Sequence, residues 1–350
     1  MAARIEWNPR TLRLLQPGGN YGRIARQRNG DLMLVYDQDR AIWVRSSRDE
    51  GRTWCAPVRV AAWPHGLLTN AELCPLRSGA LLCLYNARPD AGSGRPFAIC
   101  LARSENNGKT WQPPVTLYEG GTTFADGCWE PAAVELPGGE IQVFFANESP
   151  YRTSAEQEIT LLRSRDGAAR TWSTPETVSF RAGFRDGMPV PLVLQNGRGV
   201  AVAIEDNGLS GNFKPVIVFT SLADNWRTGA VPGQSARRWS ALRVALPPPV
   251  YAGAPYLRQM PGGETVLSFQ QSDSGDLKTA RMVVCVGDAQ ARNFDNPTHP
   301  FPFTPGAAAQ LWNALFVKNR NTVSALSSTA INGVRGVWSV DGALIAEKTR

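Results

Sequence analysis

Histidine is nearly absent from the 350-residue sequence, which contains only His65 and His299, each beside a proline. This scarcity excludes zinc sites built from histidines and argues against a Ser-His-Asp triad. Lysine is also rare, with five residues among 37 basic side chains, and the charges are scattered although the net charge is +7. Because no basic run exists, we expect no nucleic-acid partner, and the charge predicts at most a preference for anionic ligands.

Long apolar runs are missing as well. No window approaches 18 consecutive apolar residues, so we expect no transmembrane helix and no membrane partner. No apolar run follows the first arginines, which predicts a cytoplasmic protein, or an extracellular or periplasmic one if a leader was removed. No Cys-x-x-Cys pair occurs, and the six cysteines are expected to be buried free thiols. We expect neither a metal nor a cofactor.

Glycine, proline and tryptophan are abundant, which favours turns and strands over helices. An apolar strand, a turn and a second apolar strand recur six times, at intervals of 49 to 66 residues. Such an interval holds four strands. The sequence therefore predicts an all-β fold, a six-bladed β-propeller of four-stranded antiparallel blades, as a single domain over 1–350 and a monomer. The six predicted hairpins lie at 23–37, 71–86, 130–148, 188–205, 254–271 and 311–328.

A second motif falls between these hairpins. It occurs as Ser47-Arg-Asp-Glu-Gly-Arg-Thr-Trp54, again over 104–111, and with one extra residue over 164–172; Asp224-Asn-Trp226 is a remnant of a fourth copy. Aspartate and serine side chains in this pattern satisfy nearby backbone groups, and the glycine adopts a positive φ. The pattern predicts a self-bonded turn with the tryptophan packed beneath the hairpin.

The spacing S-x-D-x-G-x-T-W is the Asp-box, or bacterial neuraminidase repeat. Over about residues 15–330 the chain therefore resembles the six-bladed propellers of the sialidase superfamily. In such a blade the first strand starts, and the second strand ends, at one mouth of the propeller, and the Asp-box turns lie at the opposite end. The terminal segments are expected to share the last blade, which would leave no free sheet edge.

Polar residues collect at the positions that this arrangement assigns to the mouth. Glu130 and Glu205 stand out because each borders an apolar strand, where a carboxylate needs a partner or a raised pKa. Paired carboxylates are typical of glycoside hydrolysis, in which one protonates the leaving oxygen and the other attacks the anomeric carbon or activates water. The candidate substrate-binding residues are Arg23, Asp39, Asn70, Glu72, Arg88, Asp126, Glu148, Arg185, Tyr256, Gln270, Trp312 and Asn313.

Two segments are similar to the exo-arabinanases of glycoside hydrolase family 93. One is Trp-Glu130-Pro with its following hairpin, and the other is Arg185-Asp-Gly-Met-Pro with the strands that end at Glu205. The resemblance implies a retaining, exo-acting glycoside hydrolase with an oligosaccharide or glycoside substrate. It carries the acid/base role onto Glu130 and the nucleophile onto Glu205, for which Arg185 or Arg23 is the expected partner.

Two other interpretations stay open. The segment Tyr21-Gly-Arg23-Ile is similar to the first arginine of the sialidase carboxylate clamp, which implies a sialidase or another hydrolase of a terminal acidic sugar. Neither of the remaining clamp arginines has a counterpart in a similar context. The third interpretation is a non-catalytic carbohydrate-binding propeller, since the Asp-box assigns a fold and not an activity.

Overall fold

Alternating apolar runs fold into strands throughout the computed structural model, which describes residues 3–303 and 307–346. In this part of the chain no α-helix occurs, and two short 3-10 turns lie at Gln195–Gly197 and Leu277–Thr279. None of the described helical segments is long and apolar enough to cross a membrane. Every regular element that positions a side chain is therefore a strand or a turn.

The described residues form twenty-four strands. The first twelve are β1 (Ala3–Pro17), β2 (Asn20–Arg26), β3 (Leu32–Gln38), β4 (Ala41–Ser47), β5 (Val58–Ala62), β6 (Gly66–Pro75), β7 (Leu81–Pro89), β8 (Ala98–Ser104), β9 (Val115–Glu119), β10 (Cys128–Glu135), β11 (Ile141–Asn147) and β12 (Glu158–Ser164). The others are β13 (Glu176–Ser179), β14 (Asp186–Val193), β15 (Gly199–Ser210), β16 (Asn212–Ser221), β17 (Arg238–Ser240), β18 (Tyr251–Gln259), β19 (Thr265–Ser272), β20 (Arg281–Gly287), β21 (Asp295–Thr298), β22 (Leu311–Val317), β23 (Thr322–Ile331) and β24 (Val334–Ala346).

These strands pair into six four-stranded antiparallel sheets, which are the blades of a β-propeller. Five sheets run in chain order, from β2-β3-β4-β5 to β18-β19-β20-β21, and the sixth has the order β1-β24-β23-β22. The predicted fold class is confirmed, and each predicted hairpin coincides with two adjacent strands of one sheet. The terminal strands share the sixth sheet, as expected, with Trp7 paired to Gly342.

The chain divides into two compact units. One comprises Tyr21–Pro189, and the other comprises Met1–Asn20 and Val190–Arg350. The expectation of a single domain over 1–350 stays a prediction, and its bounds extend beyond the described residues. In the unit Tyr21–Pro189, a core of aliphatic side chains that includes Val35, Ile42 and Leu73 is shielded from water. Burial of each such side chain contributes about 1.5–3 kcal/mol.

The Asp-box segments form self-bonded turns. In the first, the Ser47 hydroxyl accepts the Gly51 N–H at 2.9 Å, and the Asp49 carboxylate accepts the Thr53 N–H at 2.9 Å and its hydroxyl at 2.6 Å. These donors, led by the Thr53 hydroxyl, lower the pKa of Asp49 to about 2. Ser47 pairs with Leu32 at the beginning of β3, so this turn lies at the opposite end of its sheet from Asp37.

All six cysteines are free thiols, as the sequence predicts. Four of them are buried: Cys74, Cys83, Cys128 and Cys285. The expectation of burial is wrong for Cys55, which is exposed, and Cys100 is half-buried. Cys55 directly follows the first Asp-box turn and lies outside any strand, which explains its exposure.

Candidate functional site

A left-handed residue interrupts the first strand of every blade. Four of the six positions fall in a break of the register between the first and second strands, which marks a β-bulge. A positive φ is strained for residues other than glycine, and such strain clusters at functional sites because it re-aims a side chain. The six residues and their φ values are Tyr21 (55°), Asn70 (55°), Glu130 (46°), Met188 (51°), Ala254 (48°) and Trp312 (54°).

The unit Tyr21–Pro189 carries a cluster of ionisable groups around the first three bulges. Arg23, which is buried, lies with its guanidinium 4.1 Å from the centre of the Tyr21 ring and its Nε 3.5 Å from Glu72. Burial raises the pKa of the Tyr21 hydroxyl, Arg23 opposes the rise, and the nearby Glu130 carboxylate adds to it. The Tyr21 hydroxyl is therefore neutral at physiological pH. Arg23 both stacks on the Tyr21 ring and pairs with the Glu72 carboxylate.

Arg88 links the second bulge to the third. Its Nε donates to Asn86 at 2.7 Å, and its Nη2 donates to the Asn70 side-chain oxygen and lies 3.4 Å from Glu130 Oε1. Asn70 also forms a hydrogen bond with the Tyr21 hydroxyl. The Glu130 side chain is 17% exposed, so its carboxylate is held by a cation and still reaches solvent. We call Tyr21, Arg23, Asp37, Asn70, Glu72, Arg88 and Glu130 the Glu130 cluster.

Asp37 is, with Glu72, one of two buried acids of this cluster, and it was not among the predicted site residues. Its carboxylate accepts hydrogen bonds from the Thr69 hydroxyl and from the Asn70 backbone N–H. Burial raises the pKa of Asp37 to about 6, while these donors and the charges of Arg88 and Arg23 hold it from rising further. Because Asp37 holds the backbone of the left-handed Asn70, it helps to fix the side chain that Arg88 contacts.

Glu148 lies at the end of β11 beside the Glu130 cluster. Its Oε1 accepts the Trp129 indole N–H at 2.8 Å, the Gln157 amide at 3.0 Å and the Arg185 guanidinium at 2.5 Å. Since Trp129 directly precedes Glu130, Glu148 anchors the bulge that presents the predicted acid/base. Arg185 forms an ion pair with Glu148, and Arg23 forms one with Glu72. The pairing of either arginine with Glu205 stays a prediction.

Asp39 and Asp126 lie in turns. Asp39 is exposed, with a φ of 52°, between β3 and β4. Asp126 accepts the backbone N–H and the hydroxyl of Thr123 at 2.8 and 2.7 Å, and these hydrogen bonds, the hydroxyl first, lower its pKa. Asp126 therefore braces the loop that leads into β10. A direct contact of either carboxylate with substrate stays a prediction.

Glu205 lies in the other unit, where it borders the fifth blade. Its Oε2 accepts the backbone N–H of Ala254, the left-handed residue of β18, at 2.7 Å. A methyl group added to Gly253 would come within 2.3 Å of the same oxygen and 2.4 Å of the Tyr251 hydroxyl. The carboxylate is thus seated against bare backbone, which explains why a glycine stands at this position.

Gln270 connects that seat to the sixth blade. Its Nε2 donates to the Tyr251 hydroxyl at 3.1 Å, and its Oε1 accepts the backbone N–H of Trp312 at 3.0 Å. The Gln270 side chain is fully buried. Gln270 therefore links Tyr251 to Trp312 and holds the bulge at Trp312.

Tyr256 and Asn313, two of the candidate substrate-binding residues, are buried among protein contacts. Tyr256 is buried, and its hydroxyl accepts a hydrogen bond from Arg258 Nη2 at 2.5 Å. The Arg258 guanidinium carbon lies 4.3 Å from the centre of the Tyr256 ring. Asn313 is buried and donates to the Gln310 carbonyl at 3.2 Å. These contacts are structural, and a role of either residue in binding substrate stays a prediction.

The predicted site residues do not include several side chains that the structure places at the site: Tyr21, Asp37, Thr69, Trp129 and Tyr251. A signal for the bulges was present, because proline follows the left-handed residue in Glu130-Pro, Met188-Pro and Ala254-Pro. Proline in an inner strand is confined to strand starts and bulges. Within the described residues no group of three or more His, Cys, Asp or Glu side chains is arranged to hold a metal ion.

Comparison with known proteins finds a related family. A family model described as a BNR repeat-like domain matches residues 79–246. The resemblance to BNR-repeat propellers is thereby confirmed, and so is the six-bladed fold. A comparison with curated protein sequences returned no match.

Solved structures with the same fold include two glycoside hydrolases from fungi. The α-L-arabinofuranosidase of Fusarium graminearum, solved with an iminosugar inhibitor, is 17% identical, with a TM-score of 0.72 over 99% of this chain and 97% of that chain. The α-L-arabinanase of Penicillium chrysogenum, solved with arabinobiose, is 17% identical, with a TM-score of 0.69 over 98% and 97%. A Hadza microbial sialidase is 13% identical, with a TM-score of 0.60 over 93% and 66%. At these identities the likeness shows the fold.

Proposed function

We propose that the protein is a retaining, exo-acting glycoside hydrolase of the α-L-arabinofuranosidase or arabinanase type, in which Glu130 and Glu205 carry the reaction. The observation that carries this proposal is the way each carboxylate is held at a bulge. Glu130 is itself a left-handed residue beside Arg88, and Glu205 accepts a hydrogen bond from the N–H of the left-handed Ala254. Strained backbone that aims a carboxylate is typical of a catalytic site.

In this mechanism Glu205 attacks the anomeric carbon as a carboxylate, and Glu130 gives its proton to the leaving glycosidic oxygen. The departing alcohol takes the bonding electron pair, and a glycosyl ester of Glu205 forms. Glu130, now ionised, then takes a proton from water, whose oxygen attacks the anomeric carbon and releases Glu205. The Ala254 N–H supports this assignment because a backbone donor stabilises the ionised carboxylate that a nucleophile requires.

Hydrolysis of an acidic sugar is the alternative that Arg23 suggests. Its guanidinium already faces Glu72 and stacks on Tyr21, so a substrate carboxylate would compete with Glu72 for it. This arrangement of Arg23 favours a neutral sugar. If Arg23 binds substrate through its planar fork, Arg23→Lys should lower kcat/KM strongly.

The test is a screen of aryl glycosides with an arabinofuranoside, a sialoside and a uronide. We expect release of the aryl group from the arabinofuranoside, with loss of turnover in Glu205→Gln. Glu130→Ala should spare the first step for activated leaving groups, and azide should rescue the second step. The exposed Glu105, which pairs with Arg103 at 2.7 Å, supplies the control variant Glu105→Gln with unchanged rates.

The outcomes separate the three interpretations. Turnover of the sialoside or uronide alone would replace the neutral-sugar proposal with the acidic-sugar one. Binding of oligosaccharides without turnover of any glycoside would indicate a carbohydrate-binding propeller. Normal turnover by Glu205→Gln would refute the two-glutamate mechanism.

A further inference from the structure

The loop between β9 and β10 is braced from within. The Asp126 carboxylate accepts two hydrogen bonds from Thr123, and the Asp126 carbonyl accepts the Gly121 N–H at 2.6 Å. A methyl group added to Gly121 would come within 2.2 Å of both carboxylate oxygens, so the two ends of the loop are in close contact. The residues at the tip of this loop are therefore held in one conformation.

Phe124 occupies that tip with 69% of its surface exposed. Its ring is stacked on the Trp129 indole, at 5.3 Å between centroids and 18° between planes, and meets Phe97 edge-on at 5.1 Å. Most of the ring is left in water, so its burial contributes little to the stability of the fold. The ring instead presents an apolar aromatic face to solvent.

The exposed ring contacts Trp129, which borders the candidate catalytic site. Trp129, beneath Phe124, precedes Glu130 in the bulge and donates its indole N–H to Glu148. The Arg88 guanidinium lies 4.9 Å from the Trp129 ring and 3.4 Å from Glu130. One side chain, Trp129, thus separates Phe124 from the groups around the predicted acid/base.

We propose that Phe124 is the stacking platform for a second sugar ring, the unit adjacent to the glycosidic bond that is cleaved. The inference rests on the proposed function and deepens it, because it makes an oligosaccharide, rather than a simple glycoside, the preferred substrate. The carbon–hydrogen face of a sugar ring is apolar and matches an aromatic face, while its hydroxyl groups stay in water. A ring already fixed by stacking loses little conformational entropy when it binds.

The test compares Phe124→Ala with the unaltered protein on an α-1,5-linked arabino-oligosaccharide and on an aryl arabinofuranoside, which lacks a second sugar. We expect KM for the oligosaccharide to rise by about 3- to 10-fold in Phe124→Ala, with kcat and all constants for the aryl glycoside nearly unchanged. Phe124→Tyr should retain unaltered KM values. Phe303→Ala, which removes another exposed phenylalanine, is the matched control and should leave the kinetic constants for both substrates unchanged.

Phe124→Leu guards against a purely structural explanation, because leucine still covers Trp129 but offers no aromatic face. It should lose oligosaccharide affinity as Phe124→Ala does, with the unfolding midpoint of the unaltered protein. Calorimetric binding of the oligosaccharide to Glu205→Gln, with and without Phe124→Ala, gives a readout independent of turnover, and we expect about 3- to 10-fold weaker binding.

Equal oligosaccharide binding with and without Phe124→Ala would overturn the platform, as would an equal loss on both substrates or the absence of any oligosaccharide binding. The proposed function fails differently, by normal turnover of the aryl glycoside in Glu205→Gln. The two failures are therefore distinguishable in one set of variants.

Discussion

Replacement of Asp37 by asparagine should change how the stability of the protein depends on pH. The pKa of this buried carboxyl is raised from 3.8 to about 6, with burial as the main cause. Between these values the folded protein holds a proton that the unfolded chain has released, so stability is fully present below about pH 4 and falls as the pH rises through 6. A difference of about two in pKa corresponds to about 3 kcal/mol.

Because asparagine cannot ionise, Asp37→Asn removes this loss of stability at rising pH. Urea unfolding of both proteins between pH 4 and 8 gives the free energy of unfolding at each pH. We expect the difference, variant minus unaltered protein, to rise by about 2 kcal/mol from pH 4 to pH 7, because part of the change already occurs below pH 4. Asp39→Asn is the matched control, because Asp39 is the same residue type two positions further on and is exposed to solvent.

If the difference in the free energy of unfolding stays constant or falls as the pH rises, the placement of Asp37 as a buried acid is refuted. A second readout is the pH dependence of kcat/KM. An inflection near pH 6 in the unaltered protein should be absent from Asp37→Asn, because the Asp37 charge acts on Arg88 and thereby on Glu130.

Two further substitutions test the unit that holds Glu205. Gly253→Ala places a methyl group 2.3 Å from Glu205 Oε2 and should lower kcat by about 100-fold, whereas Gly138→Ala, which meets no atom within 4 Å, should leave it unchanged. Equal steady-state kinetics in both variants would contradict the close packing of the Glu205 carboxylate against Gly253. Lys214→Met removes an ammonium whose pKa is lowered by burial and whose three N–H groups are shared among four backbone carbonyls, the nearest at 2.6 Å. The free energy of unfolding should fall by about 1–3 kcal/mol, and an unchanged urea midpoint would oppose this role.

The sheets can be predicted from local sequence patterns because the same pattern recurs in each blade. Apolar runs with alternating periodicity and glycine turns, such as the one at Gly30, specify hairpins from nearest neighbours alone. The turn at Asp49 is equally local, since its donors and acceptors lie within seven residues. Architecture of this kind follows from patterns that a single strand and turn already contain.

The site depends on contacts between residues far apart in the chain. Arg88 meets Asn70 across two paired strands and Glu130 from the next blade, and no local pattern encodes these pairings. The bulges also shift the register, so the position of a residue in the repeat does not fix the direction of its side chain.

The pair Asp37 and Asp39 illustrates the difficulty. Sequence reasoning selected Asp39 as a binding residue, whereas Asp37 is the carboxylate that joins the Glu130 cluster and Asp39 lies exposed in a turn. The buried run Leu-Met-Leu-Val-Tyr-Asp37 contained the signal, because an acid that continues an apolar strand shares its burial. Two residues further on, the strand has ended and solvent is available.

The most direct test of the two-glutamate mechanism is to trap the covalent intermediate. An activated 2-fluoro arabinofuranoside slows the second step, and intact-mass spectrometry with peptide mapping then identifies the modified residue. We expect one added glycosyl group, on the peptide that contains Glu205, in the unaltered protein and none in Glu205→Gln. A label on another residue, or steady turnover of the arabinofuranoside by Glu205→Gln, would contradict the account.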